Sequence, residues 1–387
     1  MIGAFTFNTS GRIVFEPGAA GELSRHAAPF LGARVLIVTD PGIVKAGLLE
    51  APMTSLTDAR HAVAVFDGVT ADPLRSVLTA AVDQGRAFQP TSVVGLGGGS
   101  SLDVAKLVAL LLGSGEDLDE AWGVGNAKGP RLPLVLVPTT AGTGSEVTPI
   151  SIITVEDDEK RGVVSPVILP DLAVLDADLT LGLPAHVTAA TGIDAMVHAI
   201  EGYASKSANN NPVSRTLAVE ALKLLGANIR TAVDEPGNRD ARGAMLLGSM
   251  LAGMAFANSP VAAVHALAYP IGGTFHVPHG LSNALVLPHV LKFNAAVAAG
   301  PYSSLAPQVF PALAEIEDPI ERTEAFARQL QGLAADLGLE TRLREVGIAA
   351  GDIPQMAKDA MKQTRLLINN PRDVTEADAR MIYEAAL

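Results

Sequence analysis

Four side chains in the second half of the chain have the types needed to hold a divalent cation and leave a position open for a substrate. Asp194 and His198 lie in Gly192-Ile193-Asp194-Ala195-Met196-Val197-His198, while His265 and His279 bound a stretch that ends in Pro278-His279-Gly280. Asp194 and His198 sit at i and i+4 in an apolar run, so on a helix both project from one face as a two-ligand clamp. Pro270, Gly272, Gly273 and Pro278 separate His265 from His279. That spacing predicts a broken helix and two elements that converge in space. A histidine in an apolar run is more often a hydrogen-bonded core residue than a ligand. His186, His276 and His289 compete with the four, so spacing alone leaves the ligand set open.

Composition limits the chemistry further. The chain has no cysteine, which excludes disulfides, thiolate nucleophiles, iron-sulfur clusters and thiolate zinc sites, so any metal must use nitrogen and oxygen ligands. A net charge of −13 and a pI near 5.0 argue against nucleic acid, because an acidic surface repels phosphates unless a basic patch is segregated. With 387 residues and 48% hydrophobic content the chain can bury a large core in two domains. Met1 to Gly11 lacks a basic region followed by an apolar one, so a cytoplasmic location is expected. No Asp, Glu, Lys or Arg occurs between Arg242 and Lys292. A membrane span there is opposed by Asn258, Ser259, Pro260 and His265, and a buried helix pair is expected instead.

The elements that must position these residues fall into two kinds. In residues 1–183, Arg34 to Asp40, Ala62 to Phe66, Ser92 to Leu96 and Leu134 to Pro138 read as strands, with a helix around Leu74 to Phe88. Strands alternating with helices predict an α/β domain with a mostly parallel sheet covered on both faces. Phe5-Thr6-Phe7 and Ile13-Val14-Phe15 flank Asn8-Thr9-Ser10-Gly11, a hairpin signature. In residues 184–387, Val187 to Ala204, Pro212 to Leu225, Arg239 to Asn258, Val261 to Tyr269, Ile320 to Leu337 and Thr375 to Ala386 read as helices. The second domain is therefore expected to be all-α, with a ligand cleft between the two.

Gly95-Leu96-Gly97-Gly98-Gly99-Ser100-Ser101 follows a strand and opens a helical run. Glycines allow close backbone approach, and a helix N-terminus supplies unpaired N–H groups, which together suit a phosphate or pyrophosphate. It lacks the Lys-Ser/Thr ending of a P-loop and the GxGxxG spacing of the common dinucleotide fold. Pro138-Thr139-Thr140-Ala141-Gly142-Thr143-Gly144-Ser145-Glu146 follows another strand, where open parallel sheets bind ligands. Asp40, ending an early strand, is suited either to a ribose hydroxyl or to a turn or cap.

These four segments, with Leu102-Asp103-Val104-Ala105-Lys106 continuing the first, resemble the iron-containing (group III) alcohol dehydrogenase family in type and order over essentially the whole chain. The resemblance implies the dehydroquinate synthase-like fold: a dinucleotide-binding α/β domain (1–183) and an all-helical metal- and substrate-binding domain (184–387). It places the metal ligands on Asp194, His198, His265 and His279. The NAD pyrophosphate loop falls on Gly97, Gly98, Gly99, Ser100 and Ser101. Thr139, Thr140 and Thr143 lie along the cofactor, Lys160 in the turn Glu156 to Lys160 lies near the nucleotide, and Asp40 matches a position that selects NAD over NADP. Many members carry a second histidine one turn after the third ligand, where this chain has Tyr269. A phenol can hydrogen-bond but is a poor base near neutral pH, so the proton is expected to leave through the ribose hydroxyls, water or Tyr269, the candidate catalytic residue.

The expected protein is thus an NAD-dependent alcohol dehydrogenase or aldehyde reductase acting on a small, neutral or modestly polar substrate. The metal is expected to be Fe²⁺, with Zn²⁺ the other candidate because imidazole and carboxylate suit both, and the expected assembly is a homodimer. Two relatives of the same scaffold are the alternatives: a maleylacetate reductase-like enzyme, against which the intact Asp and His set argues, and a dehydroquinate synthase-like lyase.

Overall fold

The computed structural model describes residues 3–155 and 159–387. Two compact units divide the chain: Asn8–Gly182, and Leu183–Leu387 joined by the residues up to Phe7.

Among the described residues, the first unit is built on nine strands: β1 (Ile13–Phe15), β2 (Arg34–Val38), β3 (Ala62–Phe66), β4 (Ser92–Gly97), β5 (Gly123–Val124), β6 (Leu134–Pro138), β7 (Ile150–Thr154), β8 (Lys160–Val164) and β9 (Leu172–Leu175). Six form an all-parallel sheet in the order β1-β9-β6-β4-β2-β3. Side chains alternate along each strand, and both sets are apolar. Leu36, Val38, Val93, Leu134 and Leu136 join the core on one face, whereas Val35, Ile37, Val94, Leu96, Val135, Val137, Leu172 and Val174 join the core on the other. Near-continuous Val, Ile and Leu runs are what a parallel sheet buried on both faces requires. The remaining three strands form a small sheet, β5-β8-β7, in which β7 and β8 are antiparallel.

The strand order reverses at β2. The chain passes from β2 to β3 on one side and then returns to place β4 on the other side. The crevice outside the carboxyl ends of two strands at such a reversal is where open α/β sheets bind ligands. Here those ends carry Asp40 and the Gly97–Ser101 loop.

The hairpin expected at the N-terminus is not formed. β1 pairs in parallel with β9, and Phe5 to Phe7 is not a strand. Thr6 instead bonds through both its N–H and its C=O to the Asn209 side chain at 2.9 Å, which ties this segment to the helical unit. A parallel partner can supply the same ladder bonds as a hairpin partner, and local turn chemistry does not decide between them.

The helical unit centres on the helix Ala185–Ala204, which packs against Pro212–Asp234, Arg239–Asn258 and His279–Val309. It is buried along most of its length, as its run of Ala, Ile, Met and Val demands. Helices Arg239–Asn258 and Ala263–Phe275 meet at 108° across a short break. Gly202 permits this corner to approach closely: a Cβ there would lie 3.2 Å from the Ser259 carbonyl oxygen. The Ser259 hydroxyl donates to the Gly202 carbonyl at 2.6 Å.

The break expected at Pro270 is also absent. Helix Ala263–Phe275 runs through Pro270, Gly272 and Gly273 and stops at His276, which adopts a left-handed conformation. One proline removes one backbone hydrogen bond, and burial of this apolar helix outweighs that loss. His265 and His279 still come from separate elements, as the spacing predicts. Helix His279–Val309 is long and apolar enough to cross a membrane by length and composition, but it contains three prolines and a non-helical Ala298, and most of its apolar window is buried within this unit.

Candidate metal centre and nucleotide loop

Three helices deliver the four ligand candidates. Asp194 and His198 lie one turn apart on Ala185–Ala204, His265 lies in the first turn of Ala263–Phe275, and His279 is the first residue of His279–Val309. One ligand atom from each lies within 4.8 Å of all the others, and it is the one such group found among the described residues. The competing histidines are elsewhere: His186 and His276 are exposed, and burial together with the Lys292 charge pushes His289 down to about 4. The imidazoles of His198 and His265 stack at 4.8 Å between centroids, and His198 also stacks on Phe256 at 4.3 Å.

Close helix packing makes this convergence. Gly280, beside His279, sits so near the central helix that a Cβ would lie 2.3 Å from the Ala190 carbonyl oxygen and 3.3 Å from the Asp194 Cβ. Only glycine lets the start of the helix bring His279 to Asp194, whose Oδ1 is 3.8 Å from His279 Nε2.

Asp194, His198 and His265 are buried, and His279 is about one-third exposed at its side chain. Burial acts to raise the Asp194 carboxyl, but His198, His279 and His265, with the Asn283 amide, hold it below the ordinary carboxylate value. Asn283, one turn after His279, donates to Asp194 Oδ1 at 2.7 Å, and the same nitrogen lies 3.3 Å from Nε2 of both His265 and His279. The Asn283 Oδ1 is buried without a hydrogen-bond partner among the described residues. This pocket therefore concentrates acceptors, which fits a divalent cation with nitrogen and oxygen ligands. His265 turns its Nδ1 away from the cluster toward Glu201 Oε2 at 2.7 Å.

In the sheet unit, the Asp40 carboxylate caps helix Pro41–Lys45 by accepting from the Ile43 N–H at 3.1 Å and also accepts from the Ser101 hydroxyl at 3.1 Å. The cap role is therefore present, and the carboxylate keeps lone pairs for a further donor. Gly97 has φ +149°, and a Cβ there would strike Ser101 and approach Asp40. A Cβ at Gly99 would meet Thr143 at 2.7 Å, and the Thr139 N–H donates to the Gly97 carbonyl at 3.0 Å. The glycine loop and the threonine loop thus pack together. Helix Gly99–Ser114 starts without a side-chain cap, leaving first-turn N–H groups suited to a phosphate.

Lys160 opens β8 and pairs with Asp72 Oδ1 at 2.5 Å; Glu156, Asp157 and Asp158 of its expected turn lie outside the described residues. Tyr269 is half-buried one turn beyond His265, with its ring 6.3 Å from that of His279.

Motif reading names the segments of Asp103, Lys106 and Ser145 but not the buried cluster that they form. The Lys106 ammonium, fully buried, donates to Ser145 Oγ at 2.7 Å, Thr148 Oγ1 at 3.2 Å and the Ile150 carbonyl at 2.6 Å. Ser145 Oγ donates to Asp103 at 2.6 Å, and Asp103 also accepts from the Ile152 N–H. Burial pushes Asp103 up and Lys106 down, each partly offset by the other's charge. Burial also raises Glu146 to about 7.

A parallel sheet with a glycine loop at its reversal point and a helical unit presenting Asp and three His define a dehydrogenase plan. Family models described as "Iron-containing alcohol dehydrogenase" and "Fe-containing alcohol dehydrogenase family, C-terminal" match residues 10–177 and 188–387. The chain is 40% identical to long-chain-alcohol dehydrogenase 1 of Geobacillus thermodenitrificans, covering 97% of this chain and 96% of that one. Its fold matches a 1,3-propanediol oxidoreductase crystal structure at TM-score 0.95 and 33% identity, covering 99% and 100% of the two chains. It also matches sulfoacetaldehyde reductase from Bifidobacterium kashiwanohense in complex with NAD⁺ at TM-score 0.86 and 28% identity, covering 100% and 99%. The chain belongs to the iron-containing alcohol dehydrogenase family and is an oxidoreductase of alcohols and aldehydes.

Two substitutions test this geometry. Gly280→Ala places a methyl group against the Ala190 backbone, which cannot yield cheaply. The expected loss is about 1–3 kcal/mol in a urea melt, with weaker retention of divalent metal; wild-type values for both would contradict the packing account. Glu146 has a folded-state value of about 7 against 4.5 for the ordinary group. The folded state therefore binds more protons than the unfolded between those values, so stability falls as pH rises through that window and levels above it. Glu146→Gln removes this dependence. Relative to wild type, the variant should gain on the order of 2 kcal/mol between about pH 5 and pH 8, and a pH-independent difference would count against it.

Proposed function

We propose that the protein is an NAD-dependent and divalent-metal-dependent alcohol dehydrogenase and aldehyde reductase. The observation that carries this reading is the convergence of Asp194, His198, His265 and His279 within 4.8 Å. These four residues would hold Fe²⁺, or Zn²⁺ as the other candidate, since oxygen and imidazole ligands suit both. When bound, the metal supplies Lewis acidity to the substrate oxygen and the nicotinamide supplies the hydride chemistry.

The protein's own residues do the positioning. Gly97, Gly98, Gly99, Ser100 and Ser101 offer backbone and hydroxyl donors to the pyrophosphate, and Thr139, Thr140 and Thr143 extend that surface. Asp40 favours a ribose with free hydroxyls and repels a 2′-phosphate, which selects NAD over NADP. Lys160, its ammonium paired with Asp72, supplies the cation beside the nucleotide. Tyr269 Oη is the group proposed to pass the alcohol proton, in place of the histidine of many relatives.

The names of the relatives span a long-chain alcohol, a propanediol and sulfoacetaldehyde, so the proposed substrates are alcohol and aldehyde pairs, tested first with small neutral members. A cytoplasmic homodimer completes the proposal.

Metal dependence is tested on anaerobically purified protein by metal analysis, chelation and an NADH-coupled screen of aldehydes and ketones. Chelation should abolish NADH turnover and Fe²⁺ or Zn²⁺ should restore it; full activity in metal-free protein would overturn the reading. For the relay, Tyr269→Phe is expected to lower kcat by roughly a hundredfold or more without changing the Tm, whereas Tyr269→His should recover activity at neutral pH. A fully active Tyr269→Phe enzyme would remove the tyrosine from the mechanism.

A further inference from the structure

Glu201 lies on the same helix as Asp194 and His198, at the i, i+4, i+7 spacing that puts all three on one face. It is 4% exposed in an apolar helix, an environment that carboxylates avoid unless both oxygens are satisfied. One oxygen accepts from the Val264 N–H at 2.7 Å and the other faces His265 Nδ1 at 2.7 Å. The first bond fixes the start of helix Ala263–Phe275, and the second fixes the ring that this helix carries. With one oxygen already accepting from a backbone N–H, the carboxylate faces the imidazole as an acceptor, and this geometry assigns the shared proton to His265 Nδ1. The lone pair of His265 is then on Nε2, the atom that faces Asn283 beside Asp194 and His279.

We infer that Glu201 is a positioning residue of the metal centre, holding His265 in the Nδ1–H tautomer and strengthening Nε2 as a ligand. The inference rests on the metal reading proposed above. Carboxylates behind ligand histidines act in this way, and their loss typically weakens metal affinity by roughly ten- to a hundredfold. Its carboxylate meets the ligand set at His265 Nδ1, and its effect passes through that ring.

Glu201→Gln is the sharpest variant because it keeps the shape but retains one acceptor where two are needed. If the amide oxygen stays on the Val264 N–H, the amide NH₂ faces Nδ1 and favours the opposite tautomer, with the proton on Nε2. Glu201→Asp keeps the charge at a shorter reach, and serves as the conservative comparison.

The experiment measures Co²⁺ affinity of the apoprotein by competition with a chromophoric chelator, for wild type and both variants. The Co²⁺ absorption spectrum and the Tm of the metal-free protein are recorded in parallel. The expected result is a roughly ten- to hundredfold weaker Kd for Glu201→Gln, an altered Co²⁺ band and partial recovery in Glu201→Asp. Wild-type affinity and spectrum in Glu201→Gln, accompanied only by a lower metal-free Tm, would overturn the inference and leave Glu201 as a helix cap. Failure of the wild-type protein itself to bind Co²⁺ would overturn the metal reading, and this inference with it.

Discussion

A carboxylate buried among apolar helices must be met by donors or by positive charge, and Asp194 imposes that constraint on the helical unit. Three imidazoles surround it: His198 from the next turn of the same helix, His265 from a helix set at 108° after a short break, and His279 from a helix start pressed against Ala190. Asn283 supplies the one amide donor to Asp194 at 2.7 Å. Glycines stand at two close approaches of backbone to backbone, Gly202 at the corner and Gly280 at the helix start, because backbone has to pass where a side chain will not fit. The positions that matter most to this geometry are thus as much glycines as ligands.

The sheet unit meets a different constraint with similar means. A reversal of strand order leaves a crevice at the ends of β2 and β4, and Gly97 folds the chain tightly enough there for Ser101 to reach Asp40. Gly99 lets the threonine loop close against the glycine loop. Behind both loops, Lys106 and Asp103 join helix Gly99–Ser114 to the segment around Ser145 and to β7. Their hydrogen bonds tie the helix that follows the glycine loop to the segment that follows the threonine loop.

Much of this plan is legible in the sequence because it is local. The spacing of Asp194 and His198, the strand before Gly97 and the hydroxyl-rich Thr139 to Thr143 segment each express a period or a turn within a few residues. What escapes is set by partners far along the chain. Phe5 to Phe7 looks like half a hairpin, yet its bonds go to Asn209, and β1 finds β9 about 160 residues later. Pro270 looks like a helix break, but tertiary burial carries the helix through it. Glu201 carries a faint signal, an acid in phase with Asp194 and His198. That phase becomes meaningful only once His265 is seen against it.

The two buried polar clusters show why one reads as scaffold and the other as a ligand site. Around Lys106, an ammonium with three donors meets a carboxylate, two hydroxyls and a backbone carbonyl. Donors and acceptors there answer one another, and the cluster is complete with the protein's own atoms. Around Asp194 the balance is different. The carboxylate and the Nε2 atoms of His265 and His279 share a pocket in which the Asn283 nitrogen is the donor they hold in common. With Glu201 keeping the His265 proton on the outer nitrogen, that imidazole adds a lone pair and no donor to the interior. Lone pairs turned toward one another inside apolar packing are stabilised by a cation at their centre, and that is the physical ground for the metal proposed at Asp194, His198, His265 and His279.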